Sequence, residues 1–582
     1  MEITCSDGKF QRFNFNKQAM RKVVGILCLI LTMGYYSTGQ TGQGNKARFE
    51  YFRYSGNDKL FQKDIDHENQ YFNPILAGFY PDPSICRKGD TYYLVTSSFT
   101  MFPGVPIFKS HDLVNWDQVG HVLDRPSQLS VDGLQISQGI FAPAIQYNPH
   151  NETFYMITTS AYGIGNFYVK TQDPAKGWSD PVRLPQVRGI DPSVFIDDDG
   201  KGYILECAEP MGGADYQGQR GIHLHPFDVQ NDRINGEPKE IVRGGWKPET
   251  KPIWLEAPHI FKVNGYYYLI CAEGGTGLNH SEVVFRSKDV WGPYLPYSEN
   301  PILTQRDLPE DRPDKITTAG HADFVMTEDG DWWAVFLGVR PYGFDMTNTG
   351  RDTYLLPVEW KKGWPEILPK GTQIPIVAEK PNLMPDQKAS KVTGNFEFLD
   401  DFDSGRLDLS WMIIRTPREE LFSFHKGGLE LVARPVTLEE RKNPSAIVRR
   451  QQHTTFTAET KLEFQPEGSN DFAGFTVFQN EDFHFVFGKT EVDGKVSLVV
   501  NRIEREKINL ITRELRNKEI NRPLYLRIMG DGPDYSFQYS LNGKKWITLV
   551  EDADGTNLST RKAGGFIGAL IGLYTTSSFS ME

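Results

Sequence analysis

Three carboxylates stand at matching points of a repeated pattern. Asp82 opens "DPSICRKGDTYYLVTSS", Asp191 opens "DPSVFIDDDGKGYILECAE", and Glu256 directly precedes "APHIFKVNGYYYLICAE". Asp82 lies between Pro81 and Pro83, which fix the backbone and withdraw two ladder hydrogen bonds. A lone Asp-Pro at a strand mouth reads as a solvated turn. Three acids at equivalent repeat positions read as a site. Converging carboxylates suit hydrolysis of a glycosidic bond: one stays protonated to donate to the leaving oxygen, and another stays ionised to activate water. A third anion nearby holds the donor's pKa up by like-charge repulsion.

The pattern that positions these acids recurs five times, starting at Asp82, Ala142, Asp191, Ala257 and Ala322. Each copy is a small or acidic residue, a short apolar strand, a polar turn, then aromatics leading a second apolar strand. The starts lie 60, 49, 66 and 65 residues apart, room for about four strands each. The chain has 582 residues, 13 % aromatics, 54 Gly and 36 Pro, which favours short strands over long helices. The expectation is an all-β chain with a five-bladed β-propeller over 71–367. The first strand of each blade would line the axis, so Asp82, Asp191 and Glu256 would face one funnel, beside Phe141-Ala142 and His321-Ala322. A β-sandwich with irregular hairpins is the alternative for this region; it does not explain why the repeat starts match.

Residues 1–40 read as a leader. From Met20 a basic start, an apolar run over 23–33 and small polar residues follow the order of a secretory signal. Residues 41–70 read as a lead-in, 368–393 as a Pro-rich connector, and 394–582, with period-two runs, as a C-terminal β-sandwich of the concanavalin-like jelly-roll kind. The expected location is exported, periplasmic or extracellular. Formal charge is −12, and residues 1–40 carry five basic against two acidic side chains, so the remainder is more acidic still. That argues against nucleic acid or anionic lipid as partners and leaves neutral substrates open. Cys86, Cys207 and Cys271 sit in apolar strand patterns and read as buried thiols. With neither CxxC nor HExxH, a zinc site has no support.

"FYPDPS", "GIDPSVF" and "WLEAPHI" resemble the three acid motifs of glycoside hydrolase family 43. "FPGVPIFKSHDLVNW", "AGHADF" and "GRDTYLLPVEW" are similar to its β-xylosidase and α-L-arabinofuranosidase branch. The likeness extends into the second domain through "PSAIVRRQQH" and "GGFIGALIGLYTT". It implies an exo-acting, inverting hydrolase that removes terminal xylose or arabinofuranose from xylo- or arabino-oligosaccharides, with no required cofactor. Asp82 would be the general base, Glu256 the general acid, and Asp191 the residue that orients Glu256 and raises its pKa. Arg351 would grip substrate, its alternative being a surface ion pair with Asp352 or Glu359. Phe99 and Phe102 would form an apolar wall for a pentose, the alternative being ordinary packing between blades. Phe141 stands where the branch often has Trp. His321 matches an axial histidine that binds water or, in some relatives, structural calcium; a core histidine bonded to backbone is the alternative.

The companion domain of that branch packs on the propeller, lends a loop to the pocket rim, and continues past "GLYTT" into a further strand. Here the chain runs only to Glu582, so the last strand is expected to leave an unpaired edge. Competing readings are an endo-arabinanase, a fructosidase-type propeller and a non-catalytic sugar-binding propeller. The fructosidase pattern fails at Asp82 and Asp191, which leaves Glu206-Cys207 a decoy. A sugar-binding module has no need of three axial acids.

Overall fold

The computed structural model describes residues 45–385, 393–425 and 427–581; the leader expected over 1–40 lies outside them. Five antiparallel sheets follow one another along the chain, with first strands Ser84–Lys88, Gly139–Asn148, Ile190–Ile196, Glu256–Val263 and Thr317–Met326. These strands neighbour one another in a ring, the fifth returning to the first, so the sheets are the five blades of a propeller. Tight chemistry closes the hairpins: in blade 4, Val263 pairs with Tyr266 across Asn264-Gly265, both at positive φ, the two-residue turn that Asn-Gly favours.

Each interface between blades has its own apolar core, and strand periodicity supplies it. Ile204 packs toward blade 2 while Leu205 packs toward blade 4; Leu269 packs toward blade 3 while Ile270 packs toward blade 5. Because alternate side chains leave opposite faces and both faces are covered, these strands read as continuous apolar runs. Cys86, Cys207 and Cys271 are buried free thiols within these cores.

Two eight-stranded sheets form the sandwich. Strand Lys46–Gly56 lies inside one of them, paired with Leu429–Val432 and Glu397–Asp400 on one edge and Thr455–Glu463 on the other. Residues 46–56 of the lead-in thus belong to the sandwich, whose reading as a unit beginning at Gly394 is corrected accordingly. Ala47 and Phe49, then, past a bulge, Phe52 and Tyr54 face its core; the partners of this strand lie hundreds of residues on. The last strand, Leu570–Thr576, is paired on both sides, with Ser445–Arg450 and Phe472–Asn480, so the unpaired edge expected there does not arise. The other sheet ends on Met101–Phe102 of the propeller, which pairs with Met412–Ile414.

One buried node ties the pieces together. Arg340, at the end of a blade-5 strand, donates to both Asp352 oxygens (2.9 and 3.0 Å), to Asp58 (2.9 Å) and to the Gln452 carbonyl (2.9 Å). Asp58 also accepts from Thr454 Oγ1 and the Thr455 backbone. Propeller, lead-in and sandwich therefore share one charge network. Removing one member of a buried network strands the others. Arg340→Ala should lower unfolding free energy by about 3–5 kcal/mol, measured by denaturant titration. The gap to the parent should narrow on acidification, because burial already holds Asp352 above the usual carboxylate range and protonating it, once stranded, removes buried charge; a stability equal to the parent's at neutral pH would refute the network's role.

Candidate active site

The site begins as a backbone irregularity repeated five times. Asp82, Ala142, Asp191, Ala257 and His321 all adopt left-handed conformations, with φ of 55°, 32°, 52°, 52° and 55°. Such a residue costs about 1–2 kcal/mol when it is not glycine. In blades 2 to 5 the pairing of first and second strands slips at this point, a bulge that re-aims the neighbouring side chains. Pro83, Pro143, Pro192 and Pro258 follow four of the five and bar the right-handed helical alternative. These left-handed bends, joined by bulges in blades 2 to 5, bring Asp82, Asp191, Glu256 and His321 into one axial cavity of about 1450 Å³.

Asp82 is the most firmly held. Its Oδ1 accepts from Arg351 Nη1 at 2.7 Å and its Oδ2 from Ser97 Oγ at 2.6 Å; Ser97 in turn accepts the Ala142 backbone N–H. Burial pushes the Asp82 carboxyl up, but the Arg351 guanidinium and these contacts outweigh it and hold the group below the usual carboxylate range. Arg351 thus pairs with Asp82, while Asp352 belongs to Arg340. Asp191 and Glu256 have no cation at ion-pair distance among the described residues. Burial and then the Asp82 charge push Asp191 up to about 7, against a backbone N–H from Ala257. Burial, then Asp191 and Asp82, push Glu256 well above the carboxylate range. The site can therefore keep one carboxylate ionised and another protonated at neutral pH.

His321 lies with Nδ1 3.8 Å from Asp82, and burial lowers it to about 4, so it is neutral. Among the described residues no group of three or more His, Cys, Asp or Glu is placed to hold a metal ion, and the calcium expectation at His321 gains no ligand set. Phe99 and Phe141 line the cavity. Phe102 does not: it packs with Val95, Leu123 and Leu129 in the core between blades 1 and 2, because its strand is committed to pairing with Ile413 of the sandwich. Glu206 stays outside the cavity, bonded to His225 at 2.8 Å and to the Gly189 backbone, with its pKa held near 2; its strand is the second of blade 3.

The sandwich contributes directly. Phe566 closes one wall, 6.2 Å from Phe99 and 5.8 Å from Phe141, with the Arg351 guanidinium 5.8 Å from its ring centre. Its backbone can come this close because Gly350 and Gly568 cross without side chains; a Cβ on Gly568 would sit 2.3 Å from the Thr349 carbonyl. Arg450 bonds the Phe79 carbonyl at 2.6 Å and covers Tyr80, steadying the approach to Asp82. Phe566 and Ser97 were not singled out from sequence. The Gly-Gly before Phe566 signals a tight loop, but nothing local says where that loop docks.

Comparison with known proteins agrees with this geometry. Residues 71–365 match "Glycosyl hydrolases family 43", and 399–582 match "Beta xylosidase C-terminal Concanavalin A-like domain". A xylosidase/arabinosidase of Butyrivibrio fibrisolvens is 38 % identical over 87 % of this chain and 96 % of its own length. A non-reducing end α-L-arabinofuranosidase of Bacteroides ovatus is 35 % identical over 88 % and 92 %. A crystal structure of a GH43_12 protein from a capybara gut metagenome superposes with a TM-score of 0.85, 42 % identity, and coverage of 91 % and 99 %. With the five-bladed scaffold, the three-acid cavity and both domain matches in agreement, the chain belongs to glycosyl hydrolase family 43.

Proposed function

We propose that the protein is an exo-acting, inverting glycosidase that removes terminal β-D-xylose or α-L-arabinofuranose from xylan- or arabinan-derived oligosaccharides. The observation that carries this is the opposed setting of two buried carboxylates in one cavity, Asp82 bonded to Arg351 and Ser97 and so held low, Glu256 without a cation at ion-pair distance among the described residues and so held high. Asp82, fixed by Arg351 and Ser97, takes a proton from water as that water attacks the anomeric carbon. Glu256 delivers its proton to the departing glycosidic oxygen, and the product forms with inverted configuration. Asp191 keeps Glu256 protonated by repulsion and helps orient it. The acid and the base are both side chains, so the reaction as proposed needs no cofactor.

The apolar faces of Phe99, Phe141 and Phe566 suit a pentose, which lacks a hydroxymethyl group. The Phe566 loop walls one side of the cavity, which favours attack at chain ends. The relatives named xylosidase/arabinosidase and non-reducing end α-L-arabinofuranosidase support the same substrate class. The basic-then-apolar order from Met20 supports export to the periplasm or beyond, which cell fractionation would test.

Glu256→Gln should lose about 10²–10⁴-fold in kcat/KM on pentosyl disaccharides, and much less on aryl pentosides whose leaving group needs no proton. Equal loss on both substrate types would assign Glu256 another role. Asp82→Asn should fail on both, because water must be activated whatever leaves; near-parental turnover would remove the base assignment.

The pH profile tests Asp191. A group whose pKa is raised by an anion loses its proton earlier when that anion is removed. Asp191→Asn should therefore carry the alkaline limb of kcat/KM to lower pH, besides slowing the reaction. A limb that stays in place would leave Asp191 only its orienting part.

A further inference from the structure

The cavity is larger than one pentose requires, and its rim is charged in a way that a neutral substrate does not explain. Arg220 lines it with the guanidinium 4.2 Å from the Trp254 ring centre and Nη1 donating to the Gln219 carbonyl at 2.9 Å. The Trp254 backbone N–H donates to the Gly218 carbonyl at 2.8 Å, and Gly275 lies against the edge of its indole. The guanidinium is thus held on a fixed platform two residues ahead of Glu256, with no acidic partner at ion-pair distance among the described residues. Its charge reaches Glu256, which faces Asp191, Asp82 and Arg351 as well as Arg220.

Two more guanidiniums without a protein partner among the described residues stand on the same rim. Arg183 and Arg188 are exposed and flank buried Leu184 and Val187. Their loop is pinned by the Asn166 side chain, which donates to the Val187 and Gly189 carbonyls. Against these three cations the lining offers one exposed acid outside the catalytic group, Glu209. The same lining includes Tyr162, 78 % exposed on a hairpin turn, whose ring is the kind of amphipathic face on which a sugar stacks. In a chain of net charge −12, a local surplus of unpaired guanidinium attracts an anion that the rest of the surface repels. The forked donors match the two oxygens of a carboxylate.

We propose that this rim is a leaving-group subsite for acidic oligosaccharides, in which Arg220, Arg183 and Arg188 hold the carboxylate of a uronic-acid substituent. The subsite rests on the pentosidase reading and adds to it the class of sugar beyond the cleaved bond. The test compares kcat/KM of the full chain on a neutral xylo-oligosaccharide, on the same oligosaccharide bearing a uronic acid on its leaving-group side, and on an aryl pentoside. The parent should favour the acidic oligosaccharide by roughly tenfold at low salt, and the preference should shrink as salt screens it. Arg220→Gln, and separately Arg183→Gln with Arg188→Gln, should bring the acidic-to-neutral ratio toward one. On the aryl pentoside Arg220→Gln should also carry the alkaline limb to higher pH, since a cation beside Glu256 has gone. A parent that cleaves aryl pentosides but shows no acidic preference, or variants with an unmoved ratio, would overturn the subsite alone. A parent that cleaves none of the three would overturn it together with the reading it rests on.

Discussion

Asp82, Asp191 and Glu256 share one buried cavity, and Arg351, the cation at bonding distance, is committed to Asp82. Enclosed carboxylates without a counter-ion give up charge by holding protons. Pairing Asp82 therefore keeps it a base, while Asp191 is pushed up only to about 7 and Glu256, facing both charges, well above the carboxylate range, so that Glu256 is the proton reserve. The arrangement needs no special residue types, only that one guanidinium reaches one acid and stops short of its neighbours. Everything that fixes Arg351 and the left-handed bends at or beside the three acids serves that unequal distribution of charge.

The bulges carry a backbone cost that only a closed ring can hold in place. Each left-handed residue sits between two apolar inter-blade cores, and neighbouring blades cross-brace the inner strands. Ser84 of blade 1 donates to Asp323 of blade 5 at 2.6 Å and accepts the Ile145 N–H of blade 2. Strain concentrated where the chemistry is placed, with stiff packing on both sides, is the expected bargain in a preorganised site.

The sandwich belongs to the same mechanical unit. Arg340 joins it to blade 5 through buried charge, Met101–Phe102 extends one of its sheets, and Arg450 and Gln452 hold the segment that leads into Asp82. Phe566 lies over Phe99 and beside the Arg351 guanidinium, so the second domain completes the wall around the first domain's acids. A tethered module would touch none of these groups.

The blade count, the ring of first strands and the three acids were legible in the sequence because a propeller repeats one local unit. Spacing within each unit sets the hairpin, and matched positions in different units face the same axis. The role of Arg351 was half legible: its motif pointed to the site, while the choice between Asp82 and Asp352 was made by a contact spanning 269 residues. Phe102 shows the converse, a residue near a site motif drawn away by strand pairing with the distant sandwich. Strand Lys46–Gly56, the Arg340 network and Phe566 were decided by tertiary structure alone. Apart from Asp352, which is near Arg340 in the chain, their partners lie a hundred residues or more away, and alternation or composition tells a segment which face to bury without telling it against what. Sequence periodicity determined the scaffold and the acids it presents; only closure of the ring and docking of the sandwich decided which of those acids keeps its charge.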